Sequence, residues 1–170
     1  MIKTSLARAS RWGREEALLF LDVQDFKRIN QTFSDEVGNA LLVDIAERLT
    51  NDLRESDFIA RYGGNSFAIH LGKKNEENIK TRCKLLAQKM HALMVEPFKI
   101  EDMDVDVSMN IVMSLYPEAG QDFDAIMENT EVAMHFLKVS KERNCCFAKN
   151  LHESLHEGTD VIGLASRKVA

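Results

Sequence analysis

The stretch Phe58-Ile59-Ala60-Arg61-Tyr62-Gly63-Gly64-Asn65-Ser66-Phe67-Ala68-Ile69-His70-Leu71 decides the fold. Two short runs rich in apolar and aromatic residues flank a double glycine, which is the pattern of a β-hairpin with a tight tip. Glycine suits such a tip because it takes positive φ without a steric cost. A hairpin commits this part of the chain to antiparallel pairing.

Working outward, residues 16–22 read Glu-Ala-Leu-Leu-Phe-Leu-Asp. A continuous apolar run of this length predicts a strand buried on both faces, with Asp22 as a carboxylate at its end. Residues 25–33 predict a short helix, and Leu41, Leu42, Ile45, Leu49 and Leu53 lie along one face of a longer one. Asn75 is the expected N-cap of a helix with Glu76 and Glu77 in its first turn, with Ile79, Cys83, Leu86, Met90 and Leu93 inward and Pro97 ending it. Val105, Val107, Met109, Ile111, Met113 and Leu115 alternate, which predicts one half-buried strand. Residues 123–138 predict a helix and residues 145–148 a last short strand. The expected class is α+β (mixed α/β), a central, mainly antiparallel sheet flanked by helices. Residues 1–150 form the expected domain, and residues 151–170 read as a polar tail or linker.

At 170 residues one domain is the default. A net charge of −5 argues against polymeric nucleic acid as a partner. The apolar runs are too short to span a bilayer, no signal-peptide pattern opens the chain, and contact with a membrane is not expected. Cys83, Cys145 and Cys146 have neither metal-ligand spacing nor even pairing. A reducing, cytoplasmic setting is the expectation.

The run Arg61-Tyr62-Gly63-Gly64-x-x-Phe67 resembles the signature of GGDEF domains, the diguanylate cyclase family. Further stretches resemble the family in order: Leu19 to Val23 followed by Phe26-Lys27-Arg28-Ile29-Asn30, Val37 to Leu42, Ser108 to Pro117, and Ala133-Met134 with Lys138. Coverage runs from about Ser5 to Phe147. The family's usual lead-in is absent and residue 1 falls inside its expected first helix, so the chain reads as a piece of a longer multidomain protein. The resemblance implies a palm-like fold similar to that of class III nucleotide cyclases.

The family condenses two GTP molecules, which requires hard divalent ions, usually Mg2+, held by carboxylates and phosphates. The resemblance places Asp22 and the Val23 carbonyl at the metal position. Its second metal carboxylate aligns with Ser66, a neutral and weak ligand. The acidic residue that assists the 3'-hydroxyl aligns with Asn65, whose amide takes no proton near neutral pH. No catalytic residue is expected at these degenerate positions, and any Mg2+ binding is expected to be weak. Asp25 adds a carboxylate beside Gln24, although adjacent residues usually point differently. Remnants of the GTP site are expected at Phe26, Lys27, Asn30, Asn39, Gly63, Gly64 and Lys138. Asn39 stands where an Asp would accept from the guanine edge, and an amide offers only one acceptor beside one donor. Arg143 is displaced by one residue from the family's phosphate arginine.

Arg54-Glu55-Ser56-Asp57 matches the Arg-x-x-Asp motif of the family's inhibitory site, which binds cyclic di-GMP. An arginine fork pairs with guanine O6 and N7, and a carboxylate accepts from its N–H edge. Arg82 is a candidate helper cation. His152-Glu153-Ser154-Leu155-His156 fits a zinc-protease pattern but lacks a third ligand and a surrounding scaffold.

The expected function is a catalytically inactive GGDEF domain that regulates cyclic di-GMP signalling by binding cyclic di-GMP at Arg54 and Asp57. The alternatives are a GTP-binding or structural regulator within a GGDEF/EAL protein, and a residually active diguanylate cyclase. Expected partners are cyclic di-GMP or GTP, covalently attached sensor or EAL domains, and a second copy in a homodimer.

Overall fold

The computed structural model of the chain describes residues 2–72, 78–140 and 144–149. Strand β1 (Glu16–Val23) is the central strand of a five-stranded sheet. It pairs antiparallel with β3 (Ser66–Leu71) on one side and β6 (Met109–Tyr116) on the other. Strand β2 (Phe58–Arg61) completes the hairpin at one edge, and β7 (Cys145–Phe147) runs parallel to β6 at the other. The order is β2-β3-β1-β6-β7, the mainly antiparallel sheet expected from the hairpin.

Helices cover both faces, and the parity of β1 shows how. Ala17, Leu19, Leu21 and Val23 pack under α3 (Asp35–Asn51) and α4 (Ile79–Leu93). Leu18 and Phe20 point the other way, toward α1 (Ile2–Trp12) and α5 (Phe123–Ser140). This two-sided burial is why residues 17–21 carry no polar side chain. The short helix α2 (Phe26–Thr32) packs against α3, where Gly38 allows the close approach. A Cβ at Gly38 would collide with the Asn30 side chain. Arg48 of α3 donates to the carbonyls of Leu93 (2.9 Å) and Glu96 (2.6 Å) and stacks on Phe98, which fixes the turn after α4.

Three expectations change. The alternating run does not form one half-buried strand. Met103–Val105 is β5, paired in a separate hairpin with β4 (Phe98–Ile100), and β6 begins only at Met109. Every residue of β6 is buried. Asn110 and Ser114, which read as solvent-facing, are satisfied internally by Gln24 (2.7 Å) and Thr130 (2.6 Å). Helix α3 ends at Asn51, so Leu53 packs from beyond its cap. Helix α4 starts at Ile79 with Asn78 as its N-cap, accepting from the Thr81 N–H at 2.9 Å, and it ends at Leu93, before Pro97. Asn75, Glu76, Glu77, Arg143, the His152–His156 pattern and the tail from residue 151 lie outside the described residues.

The cysteines are free among the described residues. Burial pushes the Cys83 and Cys145 thiols up to about 12. No described helix is long and apolar enough to cross a membrane.

Candidate functional site

Strand β1 ends where the hairpin tip folds over it. Asp22 pairs in register with Ser66 of β3 and with Asn110 of β6. It keeps the parity of Leu18 and Phe20, so its side chain faces α5. There its Oδ1 meets the Lys138 ammonium at 2.9 Å, and its Oδ2 accepts from the Ser66 hydroxyl at 2.8 Å. The carboxylate is buried and both its oxygens are engaged. The next carbonyl, that of Val23, accepts from the Asn65 side-chain amide at 2.7 Å. The two groups aligned with metal ligands are therefore bound by protein donors, and two of those donors are the residues that replace acids.

The tip itself has the expected glycine conformations, with φ of +88° at Gly63 and +35° at Gly64. Arg61 clamps it, donating through Nε to the Gly64 carbonyl at 3.0 Å and through its guanidinium at 2.6 Å.

Beyond β1 the chain turns through Asp25 in a left-handed conformation (φ +50°), which an Asp tolerates better than most residues, and enters α2. This turn and the tip border a cleft of about 930 Å³. Asp22, Val23, Asp25, Phe26, Lys27, Asn30, Asn65 and Lys138 all line it. The fold thus brings together most of the residues expected for a GTP site. Asn39 does not line the cleft and sits on the exposed surface of α3. The Asn30 side-chain oxygen is buried against Gly38 of α3, without a hydrogen-bond partner among the described residues. Gln24, Ser108 and Asn110 form a hydrogen-bonded wall that sequence reading missed, because neutral amides and hydroxyls carry no spacing signal.

The donor set does not fit a pair of divalent cations. Asp22 and Asp25 are the carboxylates of the cleft, and Asp22 already neutralises a lysine. Among the described residues no group of three or more His, Cys, Asp or Glu side chains converges on a metal position.

The Arg54–Asp57 turn has a different character. Asp57 N–H donates to the Arg54 carbonyl at 2.9 Å, and the Arg54 N–H donates to Asp57 Oδ2 at 3.2 Å. Asp57 Oδ1 accepts from Gly72 N–H at 3.1 Å and from the Arg82 guanidinium, which also donates to the Gly72 carbonyl. The Asp57 side chain is 2% exposed. Its carboxylate faces inward and knots the turn to β3 and α4, while Arg54 lies at the surface. Arg82, considered above as a helper cation, is buried as the partner of Asp57.

Comparison with known proteins agrees with this geometry. The family model described as diguanylate cyclase, GGDEF domain, matches residues 1–144. The bifunctional diguanylate cyclase/cyclic di-GMP phosphodiesterase MucR of Pseudomonas aeruginosa is 31% identical over 146 residues, which are 86% of this chain and 21% of MucR. The crystal structure of the GGDEF domain of PA1120 (YfiN or TpbB) from the same organism superposes with a TM-score of 0.78 at 31% identity, covering 86% of this chain and 90% of that one. The GGDEF domain of DgcB from Caulobacter crescentus, solved with c-di-GMP, shares the fold at 20% identity (TM-score 0.73; 86% of this chain, 85% of that one). The chain spans less than a third of the length of the curated relatives it matches. With the double-glycine hairpin folded over Asp22 and the family model matching most of its length, the chain belongs to the GGDEF domain family.

Proposed function

We propose that this chain is a non-catalytic regulatory domain of cyclic di-GMP signalling, one that holds a nucleotide without converting it. The observation that carries this reading is the state of the Asp22 carboxylate, neutralised by Lys138 and capped by Ser66, with the Val23 carbonyl taken by Asn65. Condensation of nucleoside triphosphates needs negative charge to seat divalent ions, and here the charge of Asp22 is cancelled within the protein. Phosphate binding makes lesser demands. Lys27, Asn30 and Lys138 line the cleft, and Lys138, half exposed, keeps further N–H donors beside its bond to Asp22.

Incubation with GTP and Mg2+ or Mn2+, followed by chromatography of the products, tests the reading. No cyclic di-GMP is expected, while calorimetry with GTP gives a binding signal that Lys138→Ala weakens. Formation of cyclic di-GMP by the wild type, abolished by Asp22→Ala, would overturn it.

A second reading places cyclic di-GMP at Arg54 and Asp57. The closed Arg54–Asp57 turn and the surface position of Arg54 favour it. On this reading Arg54 pairs with the guanine, and Asp57 presents Arg54 by locking the turn, using what acceptor capacity its inward bonds leave. Calorimetry with cyclic di-GMP on the wild type and Arg54→Ala separates this from the first reading, because Arg54 is not among the residues lining the cleft. The remaining length of the relatives, MucR among them, supports attached domains, an EAL phosphodiesterase for one, as the recipients of the signal.

A further inference from the structure

The hairpin tip has a second side. Behind Asp22 and Ser66, on the sheet face covered by α5, lies a pocket of about 300 Å³. Phe20 and Met127, both buried, contribute its apolar lining. Tyr62 contributes a ring that is half exposed and held edge-on by Phe20, with centroids 5.7 Å apart and planes at 80°. Helix α5 contributes Met134 and the row Glu131, His135 and Lys138, spaced i, i+4, i+7 and so on one face. Lys27, Asn30 and Asn65 of the cleft do not line this pocket, and Asp22 and Lys138 alone are common to both.

The lining selects a class of ligand. The volume lies at the lower end of small-molecule sites. An open aromatic ring with two thioethers suits a flat ring better than a sugar or an aliphatic chain. Two polar groups are already committed. The Thr130 hydroxyl is bonded to Ser114 and to the Ile126 carbonyl, and Lys138 is held by Asp22. Glu131 and His135, both exposed on α5, then set the polarity of the rim. A carboxylate accepts two adjacent N–H donors. Guanine presents such an edge, whereas adenine sets an acceptor beside its donor.

We propose that this pocket is a nucleobase site separate from the phosphate cleft, taking a guanine-type ring against Tyr62 and Met134 with Glu131 on its donor edge. Its chemistry does not depend on whether the cleft holds a triphosphate.

Methyl-labelled methionine NMR tests this with guanosine and adenosine, which lack phosphate. Met127 and Met134 report on the pocket. Met109, opposite the cleft-lining Val23 in the sheet and lining neither pocket, is the reference on the cleft side. Guanosine is expected to shift the Met127 and Met134 methyl signals and leave Met109 in place, with adenosine about tenfold weaker or more. Glu131→Gln weakens guanosine by a similar factor and Tyr62→Ala removes the shifts, while Asn30→Ala leaves them. Unchanged signals from the core residues Met90 and Met94 verify the fold of each variant. Absence of shifts at saturating guanosine, shifts at Met109 alone, equal binding of adenosine, or loss on Asn30→Ala would each overturn the proposal.

Discussion

The side-chain amide of Asn65 donates to the carbonyl of Val23 at 2.7 Å, across the junction of the hairpin tip and the central strand. An acid at position 65 has no N–H to give. The residue that replaces the family's acid thus makes a tertiary bond that the acid would forfeit. Asn65→Asp is therefore expected to destabilise the fold by about 1–3 kcal/mol at neutral pH, because it sets a carboxylate against a carbonyl oxygen. Chemical denaturation of the two proteins measures it.

Restoring both acids tests the electrostatic argument from the other direction. Asn65→Asp combined with Ser66→Glu adds two negative charges beside Asp22. The double variant is expected to rise in melting temperature on addition of Mg2+ or Mn2+, as a ligand that binds only the folded state stabilises it. The wild type is expected to show no such rise. Thermal melts with and without the ions read the difference.

Asp57 and Arg82 form a buried pair, 2% and 8% exposed. Asp57→Ala leaves the guanidinium buried without its partner and deprives the Gly72 N–H of its acceptor. The expected loss is about 3–5 kcal/mol. Arg54→Ala changes a residue at the surface and is expected to cost less, about 1 kcal/mol or under. Urea denaturation of the two variants separates the buried residue of this turn from the surface one.

Gly72 sits inside the same knot. A Cβ there would fall within the van der Waals envelope of the Ser56 carbonyl oxygen, a backbone atom with little room to move. Gly72→Ala is expected to cost about 2 kcal/mol, with loss of protection at the Gly72 amide in hydrogen exchange.

Burial raises the Cys83 and Cys145 thiols from 9.0 to about 12. Between those values the unfolded chain releases protons that the folded chain retains. Stability is thus full below pH 9 and falls as the pH rises toward 12, by about 1.4 kcal/mol per pH unit for each thiol. Urea midpoints at pH 8 and pH 10 measure the fall, and Cys83→Ala is expected to flatten it. His91 acts at the other end. Burial lowers its pKa from 6.5, so its contribution is full above that pH and is lost as the pH falls through the lowered value.

Much of the fold was legible because its signals are local. The apolar run at 16–22 could only be a strand covered on both sides, and the double glycine placed its neighbour. The alternation from Val105 to Leu115 misled for a physical reason. It described one face of β6 correctly, but Asn110 and Ser114 on the other face are polar residues satisfied by partners far away in sequence, and polarity alone does not distinguish them from solvent-facing positions. The β4–β5 hairpin was hidden because three-residue strands are too short for a period to register.

For the site, the chain's composition alone determined that two acids are absent at the hairpin tip, since no fold can supply a carboxylate that is not encoded. What the remaining carboxylate of Asp22 meets was decided only in three dimensions. Lys138 reaches Asp22 because α5 crosses the end of β1, and Asp57 turns inward because Arg82 waits beneath it. Charge pairing acts over a few ångströms between residues widely separated along the chain, so it is settled by packing and leaves no local pattern to read.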